Sequence, residues 1–309
     1  KILPNPTKEH VMEAAKISRD NKCNFIIGLG GGSALDSAKA IAMMSTNDGD
    51  LWDYFNGGTA KGKKMKKNPL PMVAITTTAG TGTEADPWLV ITNTETNEKI
   101  GFGCEKTFPV LSVVDSELMM TVPEKLTAYQ GFDALFHSVE GYLNINASPI
   151  SDTFALRSIE LITKYLDTAV NEGNNIIARE NIALANTLAG IVESLSSCIS
   201  QHALEHALSG FHPELPHGAG LIMLSEAYFS HFAKSGVCNQ KMIDMAKAMG
   251  IKNPDEPMDF VKALANLQRS CGVDNLKMSD YGIDKTDLRK YAKKAYDIMP
   301  GLLQVIQDL

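Results

Sequence analysis

The stretch NFIIGLGGGSALDSAKA, Asn24–Ala40, decides how the first part of the chain folds. A short apolar run ends in four glycines within five residues, and a serine then opens a helix-forming segment whose first turn holds Asp36. Glycine lets the backbone approach an anion, and the free N–H groups and dipole of a helix N-terminus favour phosphate. Strand, glycine turn and helix in this order signal nucleotide binding. The motif lacks the G-x-G-x-x-G spacing and downstream acid of the standard dinucleotide fingerprint, so a plain tight strand-to-helix turn competes with that interpretation.

The pattern continues outward from this stretch. PMVAITTTAGTGTE, WLVITN and VLSVVD are further apolar runs separated by turns and helical spacing, which predicts an α/β layer with parallel strands. KGKKMKKNPLP, between two of the strands, is expected to be a solvated basic loop. In ITTTAGTGTEAD, Ile75–Asp86, Thr76, Thr77, Thr78, Thr81 and Thr83 share a loop with Gly80 and Gly82. Such a loop can donate to phosphate or sugar oxygens, or it can be strand and turn filler. Two such loops at strand ends of one layer favour a cofactor, because ligands of open α/β sheets sit there.

From about Pro123 the texture turns to long stretches rich in Ala, Leu, Ile, Glu and Met. SDTFALRSIELITKYLDTAV, ARENIALANTLAGIVESLSSCISQHALEHAL and DLRKYAKKAYDIM all carry apolar residues at helical spacing. The expectation is an α/β nucleotide-binding domain over 1–122 with a Rossmann-like parallel sheet, followed by an all-helical domain over 123–309.

The helical part holds the second chemistry. In YQGFDALFHSVEGY, Asp133 and His137 stand four apart and so share one helix face; His202 and His206 repeat that relation in SQHALEHALSGFHPELPHG. Gly210, Pro213 and Pro216 are expected to break the helix before His217. A carboxylate with imidazoles, and no thiolate pair, suits Fe(II), Zn(II) or Mn(II). His206 is either a ligand or an acid/base beside the metal. His10, His212 and His231 read as ordinary surface or core histidines. Phe102, Phe132 and Phe136 are candidates either for an apolar substrate pocket or for core.

Bulk properties narrow the field. The 309 residues are 44% hydrophobic and 21% charged, ordinary globular proportions. A formal net charge of -7 gives no general attraction to nucleic acid or an anionic membrane, and neither is expected as a partner. No apolar run has the length of a membrane span. The five cysteines are odd in number and widely spaced, which argues against a disulfide framework and fits a reducing cytoplasm.

Taken in order, GGGSALDSAKAIA, TTTAGTGTEA, VVDSELMMTVPEKLTAYQGFDALFHSVEGY and HALEHALSGFHPELPHG resemble the iron-containing (group III) alcohol dehydrogenase family, on its butanol, lactaldehyde and propanediol dehydrogenase side. The resemblance covers nearly the whole chain. It implies metal ligation by Asp133, His137, His202 and His217, and a proton-relaying role for His206 near the nicotinamide. It implies pyrophosphate at Gly31, Gly32 and Ser33 with Asp36 close by, and Thr77, Thr78 and Thr81 beside the phosphates and nicotinamide. Lys99 and Leu118 correspond to residues lining the same cleft. The implied cofactors are Fe(II), with Zn(II) as the alternative, and NAD or NADP; the implied assembly is a homodimer or larger homo-oligomer.

The implied reaction is reversible hydride transfer between a primary alcohol or diol and nicotinamide, giving the aldehyde. A metal-dependent lyase of the dehydroquinate synthase type, or a chain that binds metal without turnover, are the alternatives. The departures are Thr76, Thr83 and Ser116 where the family has proline, serine and proline, and an interval of 15 from His202 to His217 that leaves His212 as a rival ligand. Family members also open with a further strand-helix-strand segment that chooses between NAD and NADP, and close with a further helix. The chain opens on KILPNPTKEH and ends at PGLLQVIQDL, so the resemblance implies a nucleotide fold without its first units.

Overall fold

The computed structural model describes residues 2–298; the stretch 299–309, the last part of the expected helical domain, lies outside the described residues. The first half contains α1 (Lys8–Asp20), β1 (Ile26–Gly30), α2 (Gly32–Met44), β2 (Met72–Thr76), β3 (Leu89–Asn93), β4 (Glu98–Phe102) and β5 (Leu111–Val114). Strands β1, β2 and β5 make a parallel sheet in that order, with Gly30 opposite Thr76 and Thr76 opposite Val114. The glycine turn and the threonine loop therefore leave the carboxyl ends of neighbouring parallel strands. Helix α2 lies on the sheet face of Met72 and Ala74, where Leu35, Ala38 and Ala42 bury against them. Ile27, Leu29, Leu111 and Val113 are exposed on the other face.

WLVITN does not join the parallel sheet. It pairs antiparallel with β4, because only Thr94–Asn97 connects the two strands and a parallel crossover needs a dozen residues or more.

The second half is helical: α3 (Glu124–Leu143), α4 (Pro149–Asn171), α5 (Ile176–Ser196), α6 (Ser200–Phe211), α7 (His217–Ser235), α8 (Asn239–Ala248), α9 (Met258–Ser270) and α10 (Leu288–Ile298). From Thr127 to Tyr142, α3 is buried almost all round, as the central helix of a bundle must be. Phe132 and Phe136 are fully buried there, with Phe136 packed on Phe229, and Phe102 packs on Phe55. Phe132 and Phe136 are core, and Phe102 is half-buried at the edge of the core around Phe55.

The expected continuous helix over 178–208 is broken at Ser197–Ile199. Ser197 adopts φ 68°, and the Glu140 carboxylate of α3 accepts from the backbone N–H of Ile199 (2.7 Å), Gln201 (3.2 Å) and His202 (3.2 Å). Glu140 thus caps α6 from another helix, which helical periodicity cannot reveal. Gly210 lies inside α6 rather than breaking it, and the carbonyl of Asn97 occupies the space where a Cβ would go. The prolines at 213 and 216 end the helix, and Pro216 precedes α7 at His217. No single helix among the described residues is long and apolar enough to cross a membrane.

Candidate metal centre and cofactor cleft

Helix α3 presents Asp133 and His137 one turn apart, α6 presents His202 from its first turn, and α7 begins with His217. The Nε2 atoms of His202 and His217 each lie 3.4 Å from Asp133 Oδ1, and Nε2 of His137 lies 3.8 Å from the same oxygen. His137 stacks on His202 with ring centroids 4.4 Å apart. Three imidazoles thus aim the same nitrogen at one carboxylate oxygen.

The reason lies behind each ring. Nδ1 of His137 donates to Gly80 O at 3.3 Å, Nδ1 of His202 to the Glu140 carboxylate, and Nδ1 of His217 to the Glu205 carboxylate. A carbonyl or carboxylate can only accept here, so each partner sets the ring's orientation and leaves Nε2 facing inward. Sequence reading missed Glu140, Glu205 and Gly80. Glu140 lies three residues past His137 and Glu205 three past His202, so each acid lies near its helix's imidazole face, the one signal that was there.

Burial alone would raise the Asp133 carboxyl, but the three histidines outweigh it and hold it well below its usual range. Burial pushes His137 down to about 4, helped by the charges of His202 and His217. His202 and His217 are raised against the pull of burial, His202 by Cys198 and Glu140 and His217 by Glu205. Burial, Lys99 and His217 drive His206 well down, so its imidazole is neutral.

These distances fit a cation. At 3.4 Å the nitrogen-oxygen pairs are longer than the roughly 2.7–2.9 Å of a strong charge-assisted hydrogen bond. Two ligands bonded at about 2.1 Å in a tetrahedral set stand about 3.4 Å apart. Donor atoms of Asp133, His202 and His217 all lie within 4.8 Å of one another. His217, with its side chain 22% exposed against 5% for Asp133, marks the open side of the centre.

The threonine loop joins this centre to the glycine turn. A Cβ on Gly31 would sit 3.0 Å from the Thr78 hydroxyl, and one on Gly32 would overlap the Thr81 side chain, so the two loops interlock at positions that admit only glycine without displacement. Ser33 stands in the first turn of α2, and Thr77 N donates to Gly30 O at 3.0 Å. On its other side the loop gives Gly80 O to His137. Gly82, at φ 63° and against the backbone of Gly190, donates its N–H to the Asn186 side-chain oxygen at 2.8 Å.

The remaining sites divide. Lys99 is buried beside the centre, donating to Ser209 Oγ at 3.0 Å and standing 3.5 Å from Glu205. Leu118 is 41% exposed on a short 3-10 turn. Asp36, expected close to the pyrophosphate, is buried, and its carboxylate accepts from Thr83 Oγ1 and Val90 N, each at 2.8 Å. It acts on the threonine loop, beside the buried Lys39–Asp86 pair. His206 lies in the cluster, its ring 5.3 Å from that of His217. His212 bonds Tyr291 at 2.8 Å, outside the donor clusters.

Residues 1–116 match the family model described as iron-containing alcohol dehydrogenase, and residues 127–303 match the C-terminal model of the Fe-containing alcohol dehydrogenase family. The chain belongs to this family. It is 38% identical over 249 residues to alcohol dehydrogenase 4 of Schizosaccharomyces pombe, an alignment covering 81% of this chain and 58% of the relative. It is 34% identical to the 1,3-propanediol dehydrogenase of Klebsiella pneumoniae over 95% of this chain and 75% of the relative. Among solved structures, an archaeal halo-thermophilic Red Sea brine pool alcohol dehydrogenase superposes with a TM-score of 0.92 at 34% identity, covering 97% of this chain and 77% of that one. The sulfoacetaldehyde reductase from Bifidobacterium kashiwanohense in complex with NAD+ gives 0.82 at 31%, covering 99% and 81%.

Proposed function

We propose that this iron-containing alcohol dehydrogenase family member interconverts a primary alcohol or diol and its aldehyde, with hydride exchanged with NAD or NADP. Asp133, His137, His202 and His217 are the proposed ligands of Fe(II), with Zn(II) as the alternative. The observation that carries the proposal is the convergence of three oriented Nε2 atoms on one oxygen of Asp133. A divalent cation in that donor set supplies Lewis acidity toward an alcohol oxygen and so favours loss of its proton near neutral pH.

The chain's own residues do the rest. Gly80 O, Glu140 and Glu205 hold the imidazoles in register. Gly31, Gly32 and Ser33 offer backbone donors at a helix N-terminus to a pyrophosphate, and Thr77, Thr78 and Thr81 add donors beside it. Asp36 and Lys39 keep that loop in place, and Lys99 and Leu118 border the cleft. His206, neutral and next to His217, accepts the hydroxyl proton at a ring nitrogen and passes it out on the open side. Positioning of the two substrates between the halves supplies much of the rate.

The proposal also divides the domains at residues 122 and 123, where Pro123 precedes α3, and takes the working form to be a homodimer or larger assembly in a reducing cytoplasm. Five free cysteines support that compartment. Metal content of anaerobically purified protein, measured alongside turnover of butanol, 1,2-propanediol and ethanol with each nicotinamide cofactor, tests the proposal. About one iron or zinc per chain with alcohol-dependent reduction is expected; protein that retains no metal refutes the centre.

A further inference from the structure

A sulfur lies beside the centre that the four proposed ligands do not use. Cys198 Sγ and one ring nitrogen of each of His137 and His202 lie within 4.8 Å of one another. This triad shares His202 with the Asp133, His202 and His217 triad, so the two overlap at one imidazole. No other cysteine among the described residues joins a cluster of three such donors.

Cys198 is held where it is. It sits in the three-residue link between α5 and α6, and that link is fastened from the end of α3 on both sides of the sulfur. Asn144 Nδ2 donates to the carbonyls of Ser197 and Cys198 at 3.2 Å each, and Glu140 takes the N–H of Ile199 at 2.7 Å. Glu140 also orients His202, so one carboxylate positions both the thiol's strand of chain and the imidazole it faces. A site pre-set in this way loses little entropy when a cation arrives.

The two overlapping triads differ in softness. Two imidazoles with a carboxylate suit Fe(II) and Zn(II) alike, whereas two imidazoles with a thiolate favour thiophilic ions. Resting on the proposed ligation by His137 and His202, we propose that Cys198 is a further ligand of this centre, which with those two histidines holds a thiophilic divalent cation of the Zn(II), Co(II) and Cd(II) class through sulfur. Binding forms one metal-sulfur bond and sends the thiol proton to solvent, with no change of oxidation state.

The test is titration of the whole, reduced, metal-free protein with Co(II) under anaerobic conditions. A near-ultraviolet sulfur-to-cobalt charge-transfer band should rise together with the visible cobalt bands. In Cys198→Ser the charge-transfer band is lost while bound cobalt, counted by mass spectrometry, persists; Cys271→Ser, a change in the helical core, keeps the band. Visible bands without charge transfer in the unaltered protein, or a band that survives Cys198→Ser, overturns the sulfur ligand and leaves the four-ligand centre standing. Absence of bound cobalt overturns both. If the variants do not fold by circular dichroism, cadmium NMR of the unaltered protein decides: a resonance in the nitrogen and oxygen range, without the downfield shift of a thiolate, overturns the proposal.

Discussion

The metal centre and the glycine turn share one loop yet are built in opposite ways. At the centre, position is enforced by buried ionisable groups, each imidazole held by its own acceptor. At the turn, position is enforced by absence: Gly31 and Gly32 leave the space that Thr78 and Thr81 fill, and the charged Asp36 and Lys39 act further along the threonine loop, at Thr83. An error at the centre strands a buried charge, whereas an error at the turn displaces a neutral side chain. The first should therefore cost more than the second, and the threonine loop between them should transmit little of either.

The largest effect is expected from His202→Ala. Losing Lewis acidity worth several kcal/mol lowers kcat by roughly a thousandfold or more. Metal analysis should show depleted metal in a protein whose circular dichroism is unchanged, and full occupancy would break the comparison at its stronger end. Next comes Lys39→Met. Lys39 is 1% exposed and pairs with Asp86 at 3.1 Å while donating to Thr83 Oγ1 and to the carbonyls of Asp86 and Trp88. Removing it leaves a buried carboxylate without its cation and should cost about 3–5 kcal/mol in denaturant unfolding. A loss within experimental error would mean that Asp86 is carried neutral.

Glu140→Gln sharpens the same contrast. The amide cannot accept at both oxygens, so metal affinity should fall by about 10–100-fold, read by competition with a chelator. Gly32→Ala is smaller: overpacking against Thr81 of about 1–3 kcal/mol should raise the KM for the nicotinamide cofactor by roughly ten- to a hundredfold with metal content intact. Adding Thr81→Ala should restore part of that loss, and no recovery would show that the strain lies elsewhere.

The gentlest probe is pH, applied to metal-free protein. Asp133 is lowered in the fold, so its contribution is present above its ordinary 3.8 and lost as pH falls further. His202 is raised, so its contribution is full below its ordinary 6.5 and lost as pH rises through the folded value. Between these limits His137, lowered to about 4, loses stability on acidification, while its neighbour Glu193, raised to about 7 mainly by burial, gains it. Calorimetry should find a plateau between about pH 4 and 6.5 with decline on both sides; a monotonic trend would contradict this balance.

Local order along the chain determined a good deal by itself. An apolar run, clustered glycines and a helical segment specify strand, turn and helix within a few residues of one another, and a separation of four puts Asp133 and His137 on one face wherever the helix packs. Tertiary structure alone decided which nitrogen each imidazole presents. The acceptors for His137 and His202 lie 57 and 62 residues away, on elements with no shared period, and the one behind His217 becomes a neighbour only because α7 folds back on α6. The same holds for Asp36, whose partners Thr83 and Val90 are supplied by the packing of the threonine loop and β3. Helical and strand periodicity fix the direction of a side chain from its own element, but the partner waiting there depends on how distant elements pack.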